Sequence, residues 1–323
     1  MDLLKGAVGS GPYRIRSVTQ SEITLERTPL YYTTTNGPDV GVFRKTDDFG
    51  NFERLKSWVT LAALEYQPQP EPSFSHIEFS ELGTHQLIFN NSRSPFNDVK
   101  VRRAVALSID YSTLSQSLKW SKDTLQAGLV PLGMAGFQKR NIEGRPAQLE
   151  KAKKFLMQAG FSERHPLKFT ITLSRLATYS KEADLWPRLF SGVPIQVNVD
   201  LVDHAERNML QDQGEFQAMR ITKFAGSVES HRVLSSYLSG STYNPTRSQA
   251  PVCDRLTALA ISTADRDARL TIYAKADHCL IDRAILVPLA SIQPGYVVLR
   301  KPWQLTRTNR YLLYPYWISE WRQ

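Results

Sequence analysis

The stretch Phe89-Asn90-Asn91-Ser92-Arg93-Ser94-Pro95-Phe96-Asn97-Asp98-Val99-Lys100-Val101-Arg102-Arg103-Ala104 decides how this chain is read. Upstream, the apolar run Gln86-Leu87-Ile88-Phe89 stops at two asparagines, whose side chains favour turns by bonding nearby backbone. A Ser-Pro turn follows, then an Asn-Asp pair suited to capping a helix. From there Val101, Ala104, Val105, Leu107 and Ile109 recur at helical spacing, which predicts a helix over Val99–Leu118. A strand handing over to a capped helix is how a chain leaves one lobe and opens the next.

Strand and helix signals alternate on either side. Gly9-Ser10-Gly11-Pro12 is a turn feeding a strand at Tyr13-Arg14-Ile15, and Glu22–Arg27 alternates with period two. A short strand at 40–43, a helical piece around Phe52–Trp58 and a stiff Pro-interrupted connector at Gln67–Pro72 precede the opening stretch. Beyond it lie a Gly/Pro loop at Gly128–Gly136 and an amphipathic helix at Ala147–Gly160, closed by its glycine. Strands at Leu167–Leu173 and Ile195–Leu201 flank a helix reaching Phe190. A helix pair, Cys253–Thr263 and Asp267–Asp282, leads into the apolar run 284–289. The segments 296–303 and 317–321 follow it. Such alternation implies a mixed α/β architecture.

Length and composition narrow the function. A chain of 323 residues fits about two ordinary domains, and 41% hydrophobic content supports real cores. No apolar run approaches the ~20 residues that span a membrane. The start, Met1–Gly6, shows no basic region followed by an apolar stretch, so it does not read as a signal peptide. The excess of 40 Lys and Arg over 31 Asp and Glu is dispersed and accompanied by no nucleic-acid-binding motif, so direct nucleic-acid contact is not expected.

Catalytic patterns do not emerge. The histidines at 76, 85, 165, 204, 231 and 278 lie apart, with no metal-ligand spacing. No nucleophile elbow, Walker loop or dinucleotide fingerprint occurs. No enzyme activity, metal or cofactor is expected. Cys253 and Cys279 stand ten residues before and fourteen after the turn Thr263-Ala264-Asp265, so antiparallel helices would bring them level. A disulfide and a pair of buried thiols both fit that spacing.

The opening stretch resembles the "FN…PF-D-VRVR-A…AID" signature of family 5 solute-binding proteins of peptide/nickel ABC transporters, which Val101 to Asp110 completes. Other blocks follow in family order. Gly9 to Tyr32 is similar to a "GTGPY…-L-RN--Y" block, Ala147 to Phe161 to an "A-KLL-EAG-" helix, and Glu215 to Ile221 to the strand before a "W--D" pocket loop. The resemblance implies a two-lobed, type II periplasmic-binding-protein-like α/β fold with mixed sheets. Its lobes would comprise residues 1–89, then 90–288, then 289–323 back in the first, with a hinge near 88–92 and 286–291. The long region before "GTGPY" in family members has no counterpart, so an incomplete first lobe is expected, with exposed sheet edge or apolar surface. It implies a monomeric, periplasmic capturer of a small peptide or other small solute, partnered by an ABC permease. The alternative is a cytoplasmic sensory domain of a transcriptional regulator.

Family members that bind peptides pair the ligand's amino group with the acid of that Trp-x-x-Asp loop. Aligned on Phe216 and Arg220, the loop here reads Lys223-Phe224-Ala225-Gly226, with glycine in place of the carboxylate. Glycine neutralises no ammonium, so the loop is expected to receive a carboxylate or other anion through Arg220 and Lys223. Asn90 and Asn91 at the hinge and Tyr179 after the strand Leu167–Leu173 complete the expected ligand contacts, with Phe224 and Gly226 from the loop itself.

Overall fold

The computed structural model describes residues 11–29, 31, 37–44, 61–64, 70–79, 82–125, 128–139, 145–226, 229–293, 295–305 and 321–322. The expected helix at 52–58, residues 67–69 of the connector and the segment 317–320 lie outside the described residues. Two compact units divide the chain: 1–81 with 294–323, and Leu82–Gln293.

The first unit is built from small antiparallel sheets. Strands β1 (Tyr13–Val18), β2 (Glu22–Arg27) and β3 (Val40–Arg44) form one, in that order. Strands β4 (Leu61–Leu64) and β5 (Phe74–Phe79) flank β11 (Gly295–Arg300) in another, and β12 (Gln304–Leu305) pairs with β13 (Trp321–Arg322). Buried Leu299 is surrounded by Tyr13, Leu25, Phe43 and Trp303. Edge strand β3 leaves Val40 and Val42 exposed.

The second unit is a five-stranded mixed sheet covered on both faces. Its order is β10 (Leu286–Ser291), β6 (Gly83–Phe89), β9 (Ala218–Phe224), β7 (Leu167–Ser174), β8 (Ile195–Val202). The pairs β10–β6 and β6–β9 run antiparallel, whereas β9–β7 and β7–β8 run parallel. On one face Leu87, Phe89, Ile171, Leu173 and Ala218 meet the helices Val99–Ser108, Tyr111–Leu118 and Arg145–Gln158. On the other face Ile88, Met219, Ile221 and Leu286 meet the helices Ser230–Ser235, Pro251–Ser262 and Arg266–Asp282. Successive strand residues point to opposite faces, so each strand feeds both cores. Pro288, which donates no ladder hydrogen bond, sits on edge strand β10 beside a register shift, where a proline is tolerated.

The opening stretch works inside this unit as a tie. Phe96 stacks on Phe89 at 4.5 Å and meets Phe169 edge-on at 5.0 Å. The Asp98 carboxylate caps the helix by accepting from the Lys100 amide at 2.7 Å. Arg102, buried, donates to the carbonyls of Phe96 (2.7 Å) and Ala284 (3.0 Å), and burial lowers its pKa to about 10.

Several expectations need correction. The helix predicted over Val99–Leu118 is two helices, because Ile109 turns extended and the Asp110 carboxylate caps a fresh start at the Ser112 and Thr113 amides. The helix expected up to Phe190 is two short pieces, Ala177–Ser180 and Trp186–Leu189. The unit boundaries also shift outward by one strand, to 81/82 and 293/294 rather than 89/90 and 288/289. Strands β6 and β10 bury Leu87, Phe89, Val287 and Leu289 and are bonded to each other, so they belong to the sheet and not to a hinge.

The choice between thiols and a bridge is settled by geometry. Cys253 and Cys279 form a disulfide with their Cα atoms 5.6 Å apart, clamping the two antiparallel helices. Closing a loop of 26 residues restricts the unfolded chain by about 3.5 kcal/mol.

Candidate functional site

Strand β9 carries the expected site residues on alternating faces. Ala218, Arg220 and Thr222 point to one core and Met219, Ile221 and Lys223 to the other, by the period-two rule. Next to it on β6, His85 is opposite Thr222 and Leu87 opposite Arg220.

Arg220 is almost wholly buried, its side chain 1% exposed, and so is its partner Glu182 at 3%. Its Nε and Nη2 donate to the two carboxylate oxygens at 3.0 and 3.1 Å, a bidentate pair. Its Nη1 donates to the Ile221 carbonyl and reaches the Thr222 hydroxyl. The guanidinium also lies over the rings of Tyr179 (5.1 Å) and Trp120 (5.6 Å), an arrangement that favours a cation. Tyr179 shares a 2.7 Å hydrogen bond with Thr222, and His85 stacks on Trp120 at 4.6 Å with its Nδ1 3.0 Å from the same hydroxyl. Burial, reinforced by the nearby Arg220 charge, holds the His85 pKa down to about 2.

This arrangement places Arg220 beneath the surface of the strand, with its charge already partnered. A guanidinium committed to Glu182, to backbone and to two rings supports the strand and leaves a ligand little to bind. Tyr179 belongs to the same support. Asn90 is partnered likewise: it is buried, its side-chain amide donates to the Gly214 carbonyl at 2.8 Å, and its oxygen accepts from Ser92. The Asn91 amide lies within 3.1 Å of the Phe89, Thr246 and Ile285 carbonyls, pinning β6 to the segment entering β10. Both asparagines hold turns together.

The end of β9 is different. Phe224 is 57% exposed, Gly226 is exposed with φ of +62°, and Lys223 is half-buried beside them. Gly83 makes this possible, because a Cβ there would stand 2.7 Å from the Lys223 carbonyl. Burial, and then repulsion from Arg232, keeps the Lys223 ammonium below the usual lysine pKa. Arg232, in the helix Ser230–Ser235, was missed in the sequence, as were Glu182, Trp120 and His85. Period-two alternation from Leu87 and Phe89 does place His85 on the Arg220 face, whereas no sequence signal links Glu182 to Arg220 across 38 residues.

Against known proteins, residues 2–245 match the family described as bacterial extracellular solute-binding proteins, family 5 Middle. The chain belongs to that family. The periplasmic oligopeptide-binding protein OppA of Salmonella typhimurium is 26% identical over 321 residues, covering 92% of this chain and 57% of that protein. The probable deoxycholate-binding periplasmic protein YgiS of Escherichia coli is 26% identical over 216 residues, covering 64% of this chain and 40% of that one. The chain thus spans between 40% and 57% of the length of these two curated relatives. In fold it is similar to DppA from Helicobacter pylori in complex with the peptide STSA (TM-score 0.81, 18% identity, 99% of this chain and 64% of that one). It is likewise similar to OppA from Haemophilus influenzae in complex with RPPGFSPFR (TM-score 0.79, 20% identity, 97% and 64%). The expected type II periplasmic-binding-protein fold is thereby shown, and the regulatory alternative gains no support.

Replacing Glu182 by Ala strands a buried cation, so chemical denaturation is expected to show a loss of about 3–5 kcal/mol. Arg14→Ala, at an exposed ion pair with Glu26, is expected to cost under about 1 kcal/mol. Equal losses for the two would deny the buried pair its role.

His85 also predicts a pH dependence. Its folded pKa is depressed, so the unfolded chain binds the extra proton below about pH 6.5 and stability falls with pH in that range. Between pH 7 and pH 5 the loss from this group is about 2 kcal/mol. Denaturation of His85→Gln at both pH values should show that much less pH dependence than the parent chain.

Proposed function

We propose that this chain is a non-enzymatic ligand-binding component of a peptide-type ABC transport system. It captures a peptide or small anionic solute and presents it to a permease as a monomer. Family membership supports a binding role, and the relatives named above are binding proteins rather than enzymes. One of them is named for deoxycholate, a carboxylate amphiphile and no peptide, so the ligand range need not be confined to peptides. The disulfide supports a place outside the reducing cytoplasm, in keeping with relatives that are periplasmic.

The single observation that carries the site is the contrast along β9. Arg220 is sealed beneath, whereas Lys223, Phe224 and Gly226 stand at the strand's accessible end. We assign ligand contact to those three, and support of the strand to Arg220, Tyr179, Asn90 and Asn91.

Native mass spectrometry of the purified chain is expected to show a co-purified small solute. A thermal-shift panel of peptides and small anions tests the same reading. A ligand at 100 times its Kd stabilises by about 2.7 kcal/mol, a shift of roughly 5–10 °C. A bare chain that no member of either panel stabilises contradicts the binding role.

A further inference from the structure

The end of β9 brings two cations together, and among the described residues no acid is paired with either. Neither the Lys223 ammonium nor the Arg232 guanidinium has an ion pair or side-chain hydrogen bond with any described residue. Some described cations do find acids: Arg220 has Glu182, Arg145 has Asp110, and Arg175 has Asp203. Glu229 precedes the Arg232 helix, yet the charge acting on Lys223 is that of Arg232.

Gly226 links the two cations. A Cβ built at this position lies 3.6 Å from the Arg232 Nε, so the guanidinium flanks the place where a side chain would stand. The backbone there is left-handed, which favours glycine over a larger residue. Two like charges held together, one partly desolvated, are unfavourable until an anion joins them.

Resting on the binding role proposed above, we infer that Lys223 and Arg232 form a carboxylate-receiving subsite beside Gly226. Arg232 presents a planar fork suited to a carboxylate, and Lys223 adds a point charge. The subsite therefore selects ligands with a free carboxylate at this end and rejects those that place an ammonium there.

Isothermal titration of the purified chain at low salt tests this with three probes. N-acetyl-Phe-Leu and its C-terminal amide differ only in the terminal charge, and Phe-Leu-NH2 supplies a free amine with no carboxylate. The acid is expected to bind at least about tenfold tighter than its amide. Arg232→Gln and Lys223→Gln should each erase most of that preference with an unchanged melting temperature. Gly226→Asp, which sets a carboxylate beside Arg232, should weaken the acid and strengthen Phe-Leu-NH2. Equal affinity for acid and amide, or an undiminished preference in Arg232→Gln, overturns the inference. If Phe-Leu-NH2 binds best, the binding role stands and the carboxylate subsite falls. If none of the three binds, the carboxylate subsite falls, and the binding role rests on the thermal-shift panel.

Discussion

A buried guanidinium must be neutralised where it lies, and in this protein that requirement organises the centre of the second unit. Arg220 is a large charged side chain in a sheet strand with almost no water to solvate it. Glu182 answers it with both carboxylate oxygens, and Tyr179 and Trp120 supply ring faces. Because Glu182 lies 38 residues upstream, the pair fixes the irregular segment between β7 and β8 to the middle of β9. Buried pairs are often no better than an apolar substitute for stability alone. What this one secures is position: it ties the segment carrying Glu182 to the strand that carries Arg220.

Much of the fold was legible from periodicity and turn chemistry. Strands β6, β7 and β8 and the helix closed at Gly160 lie where alternation and helical spacing place them. Local rules failed where capping competes with periodicity. Asp110 restarts a helix that apolar spacing alone carries through, and long-range ladder bonds, invisible in the sequence, draw β6 and β10 into the second unit.

The site was less legible, for a related reason. Its loop was found by resemblance, and its missing carboxylate is a plain sequence fact at Gly226. Which cation is free and which is spent depends on partners far along the chain. Arg220 and Lys223 look alike in sequence, yet period two sends them to opposite faces, one to Glu182 and one towards Arg232. The asparagines at 90 and 91 similarly carry the expected turn chemistry, with carbonyl partners as far away as Ile285.

The central claim is that ligand charge is met at the end of β9 and not at Arg220. A crystal structure of the chain with N-acetyl-Phe-Leu bound is the most direct measurement. The carboxylate should lie within ion-pair distance of Lys223 Nζ or the Arg232 guanidinium, with the Arg220–Glu182 pair intact. A carboxylate seated on Arg220, with Glu182 displaced, would contradict it.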